Sequence, residues 1–162
     1  MSVGGEIPSN TLLDREVGMN IRPIGDGEEG ILFEIHRAVF YSHIEQIWGW
    51  DEDWQKANFA REIESSATSV VIIDGLIVGY VQVCEDDRGI YLQNIALSGD
   101  YQRKGIGTRL IQQLQKKAAV SGVPLNLGVF RTNTSARRFY ERVGFEKIRD
   151  TETHIQMSWK AT

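Results

Sequence analysis

The residues best suited to chemistry stand in one short run, "YQRKGIGTRLI" at positions 101–111. Gln102, Arg103, Lys104, Gly105, Ile106 and Gly107 carry two cations into a Gly-x-Gly, and an apolar-periodic segment follows at once. Glycine lacks a Cβ, so backbone amides at such positions can approach a ligand closely. If the next segment is a helix, its first N–H groups have no partner within it and its dipole favours an anion there. Pyrophosphate oxygen is the natural guest. Arg103 and Lys104 add attraction at the rim, although exposed cations contribute little singly. The run is neither of the two common phosphate loops: Gly-x-x-x-x-Gly-Lys-Ser/Thr is absent, and Leu110 stands where the third glycine of a dinucleotide fingerprint would fall. Taken alone, it leaves a plain solvated turn as open as a phosphate site.

A second cluster is "IWGWDEDW", in which Trp48, Trp50 and Trp54 interleave with Asp51, Glu52 and Asp53. Ring faces beside carboxylates can hold a cation. The competing reading is that the tryptophans cover the core, Trp54 above all, while the acids cap a helix. His36, His43 and His154 are the three imidazoles and show no metal-ligand spacing, so no metal is expected. Cys84, the single cysteine, lies in an apolar run and reads as a buried small hydrophobe, its pKa raised by Glu85 and Asp86. A lone cysteine allows no internal disulfide, which suits a reducing cytoplasm.

The elements that must position these groups follow from periodicity and punctuation. Residues 19–24 form a candidate strand. Asp26 offers a helix cap with Glu28 and Glu29 behind it, and Ile31, Leu32, Ile35, Ala38 and Val39 step at helical spacing to about Ser42. Asp51 caps a second helix, predicted to end near Ser65. The texture then turns β-branched: "TSVVIID", "LIVGYVQVCED" and "IYLQNIAL" predict a three-stranded meander, with Asp74-Gly75 marking a type I′ hairpin. Ile106, Leu110, Ile111, Leu114 and Ala118 make a helix stopped by Gly122 and Pro124. "LNLGVF" is a strand, Ala136, Phe139, Tyr140 and Val143 share a helical face closed by Gly144, and residues 145–159 read as strand, turn, strand.

Composition bounds the function classes. The chain has 162 residues, 41% apolar and 25% charged, enough for one core of ordinary size, expected over residues 19–162 behind a loose leader at 1–18. A formal charge of −4 argues against a nucleic-acid partner, and no apolar run reaches the roughly 20 residues of a membrane helix. The leader carries acidic groups and no apolar stretch of the kind a secretory signal needs.

Two blocks together resemble a known family. Gln102-x-x-Gly105-x-Gly107 matches the Gln/Arg-x-x-Gly-x-Gly/Ala signature of the GNAT N-acetyltransferases, and "NTSARRFYERVGF" at 133–145 is similar to that family's Asn-x-x-Ala-x-x-x-Tyr-x-x-x-Gly-Phe segment. The resemblance spans roughly residues 19–159. It implies an α/β (α+β) fold with a mixed, mostly antiparallel sheet of six to seven strands flanked by about four helices. It further implies acetyl transfer from acetyl-coenzyme A to an amine acceptor, a small molecule or a peptide. On that analogy the backbone of Ile95, Ala96 and Leu97 pairs with the pantetheine arm, and the amides from Gln102 through Thr108 bind pyrophosphate. Asn133 and Ala136 lie along the coenzyme, and Tyr140 sits near the sulfur as the acid that protonates the departing thiolate.

One departure from the pattern stands out. Many relatives carry a carboxylate base on the strand before the loop, where this chain has Gln93 and Asn94. A water held by either amide, or a carboxylate such as Glu45 or Asp51, is the alternative base, and a non-catalytic acyl-coenzyme A sensor is the rival function. A nucleotide-binding module of another kind is a third reading. Trp48, Trp50, Asp51, Gln93, Asn94 and His154 are the expected acceptor-site residues. Strand edges near the C-terminus leave a homodimer open.

Overall fold

The computed structural model describes residues 18–162; apart from Gly18, the expected leader lies outside the described residues. Chain order is β1 (Met19–Pro23), α1 (Glu29–Ile47), α2 (Glu52–Ser65), β2 (Ala67–Ile73), β3 (Leu76–Asp86), β4 (Gly89–Leu97), a 3-10 turn (Gly99–Tyr101), α3 (Ile106–Ser121), β5 (Leu125–Phe130), α4 (Thr134–Arg142), β6 (Glu146–Asp150) and β7 (His154–Trp159). Seven strands form one sheet in the order β1-β2-β3-β4-β5-β7-β6, antiparallel except for β4 and β5. This is the mixed, mostly antiparallel architecture expected, with four helices on its faces.

The turn chemistry explains the meander. Asp74 and Gly75 both take positive φ, 51° and 80°, as a type I′ turn demands. The helix ends follow local signals less uniformly. Asp51 caps α2, its side chain accepting from the Trp54 N–H at 3.0 Å. Asp26 does not cap α1: that helix begins at Glu29, and the Glu28 carboxylate is instead held by Arg22 at 2.7 and 2.8 Å and by the Gly25 N–H at 2.6 Å. These partners hold the Glu28 carboxyl at about 2, well below the usual range. Helix α1 also runs past Ser42 to Ile47, because Ile44 gives its last turn a buried anchor.

Both sheet faces are covered. One buries Val81, Leu92, Leu110, Ile111, Leu114 and Met157 under α3 and α4. The other buries Leu32, Phe33, Phe59, Val70 and Tyr80 under α1 and α2. Trp54 belongs to neither core: it is 55% exposed, because its position on α2 faces away from the sheet that Phe59 packs on. Strand β6, at the sheet's outer edge, is exposed along its whole length and carries Glu146, Lys147, Arg149 and Asp150, charges that discourage edge pairing. Among the described residues no helix is long and apolar enough to cross a membrane.

Candidate functional site

The site originates in a fault in the sheet. Strands β4 and β5 are paired in register only from Ile90, Tyr91 and Leu92 to Leu125, Asn126 and Leu127, yet β4 runs on to Leu97 and β5 to Phe130. The two strands therefore part midway. A register shift helps: Gln82 pairs with Asn94 and Val83 with Leu92, leaving Gln93 as an extra residue in β4. Such a bulge bends its strand and re-aims the side chains beyond it. The gap opens into a cleft of about 1400 Å³ lined by Ile95, Ala96 and Leu97 from one strand and Leu127, Gly128 and Phe130 from the other. Backbone groups along the parted β4 face this cleft, where an extended ligand can pair with them.

At the end of β4 the glycine loop closes one side of the cleft. The Gln102 Nε2 donates to the Leu97 carbonyl at 2.8 Å, tying loop to strand. Arg103 and Gly105 take positive φ, 62° and 82°, and Gly105 is the residue from which α3 departs. A Cβ at Gly105 would meet no neighbour, so glycine is required there by backbone conformation; at Gly107 a Cβ would touch the Phe139 ring at 3.6 Å. Gln102, Arg103, Gly105, Gly107 and Thr108 line the cleft. Lys104 and Ile106 do not: the Lys104 ammonium lies 5.8 Å over the Tyr101 ring, and the Ile106 side chain turns into the core. Any contact from Ile106 is left to its backbone.

Helix α4 supplies the opposite side. Asn133 caps it, Oδ1 accepting from the Ala136 N–H at 3.1 Å, and both residues line the cleft. The Gln115 Nε2 donates to the Val143 carbonyl at 2.8 Å and pins the end of α4 to α3. Tyr140 is buried against Phe139 and Phe145, with ring centroids 5.2 and 5.6 Å away, and it too reaches the cleft. Burial pushes its phenol well above the ordinary value, so it stays protonated through the neutral range.

Across the sheet, α2 presents a polar stripe. Asp51, Gln55, Asn58 and Glu62, spaced by four, three and four, all line the cleft. The Asn94 Nδ2 donates to Glu62 Oε2 at 2.7 Å and to Gln82 Oε1 at 2.7 Å, while the Asn58 Nδ2 donates to Glu62 Oε1 at 2.7 Å. Burial raises the Glu62 pKa, and the amides of Asn94, Gln93 and Asn58 oppose that shift without cancelling it. Sequence reasoning missed Glu62; the signal that marks it is a carboxylate and two amides at i, i+3 and i+7 on the sheet-facing side of a helix. Glu45, considered above, is instead engaged by the Trp50 N–H at 2.6 Å.

The mouth of the cleft is aromatic. Phe130 gathers His154 at 4.7 Å, His43 at 6.0 Å and Trp48 at 6.0 Å between ring centroids, and Trp48 is 60% exposed. Trp54 lines the cleft as well. Trp50 does not; it packs on Tyr41 and Phe33 and its Nε1 donates to Glu52 Oε1 at 2.8 Å, bracing the corner between α1 and α2. Burial lowers the pKa of His36, His43 and His154, and the His36 Nδ1 meets the Tyr80 hydroxyl at 2.7 Å. Cys84 is half-buried, its pKa raised by burial and then by Glu62, not by Glu85 and Asp86.

The sheet thus parts between its two parallel strands, and a glycine loop opens a helix at the gap. Residues 31–145 match the acetyltransferase (GNAT) family, and the chain belongs to it. It is 30% identical over 109 residues to N-alpha-acetyltransferase RimI of Mycobacterium tuberculosis, covering 64% of this chain and 68% of RimI. It is 23% identical over 129 residues to N-acetylaspartate synthetase of Xenopus tropicalis, covering 78% of this chain but spanning only 47% of that protein. Among solved structures, PaiA N-acetyltransferase from Thermoplasma acidophilum in complex with coenzyme A superposes with a TM-score of 0.73 at 19% identity, over 88% of this chain and 99% of that one.

Proposed function

We propose that this chain is an N-acetyltransferase that transfers the acetyl group of acetyl-coenzyme A to a primary amine, and that the cleft between β4 and β5 is its active site. The observation that carries the reading is the coincidence, in one cleft, of parted β4 backbone, a left-handed glycine loop at the start of a 16-residue helix, and a protonated phenol. The residues fit the coenzyme. Ile95, Ala96 and Leu97 offer strand pairing to the pantetheine amides, the N–H groups around Gly105, Gly107 and Thr108 suit pyrophosphate, and Asn133 and Ala136 border the path between them. RimI and PaiA, by their names both N-acetyltransferases, support an amine acceptor.

Acetyl-coenzyme A supplies an activated acyl group and a thiol that leaves as an anion. The chain supplies position and protons. The Tyr140 phenol, held neutral by burial, donates its proton to that sulfur. Trp48, Trp54 and Asp51 at the mouth receive the cationic acceptor, ring faces and carboxylate together favouring a positive charge. The lone cysteine suits a cytoplasmic setting.

Thiol release from acetyl-coenzyme A over a panel of primary amines and peptides, with mass detection of the acetylated product, tests the reading. Amine-dependent release is expected. Tight coenzyme binding with no transfer to any amine would favour a sensor, and stabilisation by ATP without a response to coenzyme A would sink both.

A further inference from the structure

We propose that Glu62 is the catalytic base of this cleft, taking the proton from the acceptor ammonium, so that the base stands on α2 instead of on strand β4. The inference rests on the acetyltransfer reading above. With amides at Gln93 and Asn94 on the strand, any carboxylate base has to come from another element, and Glu62 on α2 lines the gap.

Three features single it out. First, its oxygens are aimed: Asn58 holds one and Asn94 the other, each at 2.7 Å, and Asn94 is itself fixed by the fully buried Gln82. Second, its hydrogen bonds come from neutral amides. Glu28, Glu52 and Asp150 are each bonded by Arg22, Arg37 or Lys147 and are held as firm anions, poor proton acceptors. Third, Tyr140 belongs to the core on the other sheet face, so the parted strands bring a base from one side and an acid from the other to the same opening. The ionisable groups facing Glu62 are Tyr80 and Cys84 on β3, both kept neutral with raised pKa, and Arg61 on its own helix, which is exposed. His36 stands behind Tyr80 and is also neutral near pH 7.

The step balances. Glu62 removes one proton from R–NH3+ and releases it to solvent. The nitrogen lone pair then forms the C–N bond to the acyl carbon, the C–S bond breaks, and its electron pair goes to sulfur. Sulfur takes the Tyr140 proton, and the second proton lost by nitrogen restores the phenol through water.

The test uses the full chain with Glu62→Gln, Glu62→Asp and, as a control, the exposed Glu64→Gln. Three quantities are read: coenzyme A affinity by calorimetry, the rate of acetyl transfer against pH, and the Glu62 carboxyl titration by carbon NMR in the chain alone. Glu62→Gln is expected to bind coenzyme A within about twofold of the parent while transferring roughly 10²–10⁴-fold more slowly at neutral pH, the usual contribution of a positioned base. It should also lose the acid limb of the profile, which Glu62→Asp restores in part. The carboxyl midpoint should lie above that of an ordinary glutamate and coincide with the limb. An unchanged rate and profile in Glu62→Gln, or a carboxyl midpoint at or below the ordinary value, overturns the proposal while acetyltransfer stands. A parent chain that binds coenzyme A yet acetylates no amine overturns both.

Discussion

Removing one oxygen atom from Tyr140 separates its packing in the core from the proposed role as acid. The ring is buried between Phe139 and Phe145, and Tyr140→Phe keeps that packing. A hydroxyl that serves the fold through no strong hydrogen bond can be replaced at little cost, so the melting temperature should move by no more than the few degrees that about 1 kcal/mol produces in a chain of this size. A general acid contributes typically 10²–10⁴-fold, so kcat should fall by about 3–5 kcal/mol of barrier, with coenzyme A affinity nearly unchanged. Thiol trapping under saturating amine measures the rate directly. The deficit should shrink with an acetyl thioester whose thiol is more acidic, since a better leaving group needs less protonation. Because burial raises the phenol above its ordinary value of 10, ionisation of Tyr140 should cause no loss of rate below that pH. Full activity in Tyr140→Phe, or an equal deficit for both thioesters, would refute the acid role.

Three further outcomes are expected. Gly105→Ala places a side chain at φ 82°, where nothing blocks it sterically but the left-handed backbone costs about 1–2 kcal/mol, so thermal melting should drop and coenzyme affinity fall, whereas Lys104→Ala, outside the cleft, should leave affinity within a few-fold by calorimetry. Trp54→Ala should cost less than about 1 kcal/mol in urea unfolding because the residue is exposed, while Phe59→Ala, fully buried against His36 and Tyr80, should cost about 3–5 kcal/mol. His36 has a folded pKa of about 4 against 6.5 unfolded, so its contribution is complete above pH 6.5 and is lost as the pH falls toward 4. That amounts to about 3 kcal/mol, so His36→Gln should reduce the fall in urea-measured stability between pH 6.5 and 4 by about that much relative to the parent, the remaining slope coming from His43, His154, Glu62 and, at the lower end, Glu28.

Local rules made much of the framework legible. Asp74-Gly75, Gly122 and the Ala136-Phe139-Tyr140-Val143 face state their conformations in residue type alone, and each adopts the one expected. The glycine loop was legible as a backbone feature; of its two cations, Lys104 leans on Tyr101, away from the cleft, while Arg103 lines it. What local pattern could not convey is long-range. The parting of β4 from β5 goes with a one-residue mismatch at Gln93 against β3, invisible without the register. The helical spacing of Gln55, Asn58 and Glu62 is local, but that Glu62 is held by Asn94, 32 residues away, shows only in the fold. Trp54 was misplaced because a large aromatic on an amphipathic helix is usually buried, whereas here the cleft occupies the space beside it. Asp26 lost the cap of α1 to a loop organised around the Arg22–Glu28 pair.

In the proposed function the parted strands and the glycine loop together hold coenzyme A, and a backbone-amide NMR titration of the chain with coenzyme A tests this most directly. Saturable shifts are expected at Ile95, Ala96 and Leu97 and from Gly105 to Thr108, with β1 and β6 unmoved. Saturable shifts confined to the groove of Ile73, Tyr101, Lys104 and Arg109 outside the cleft, or no saturable change, would contradict it.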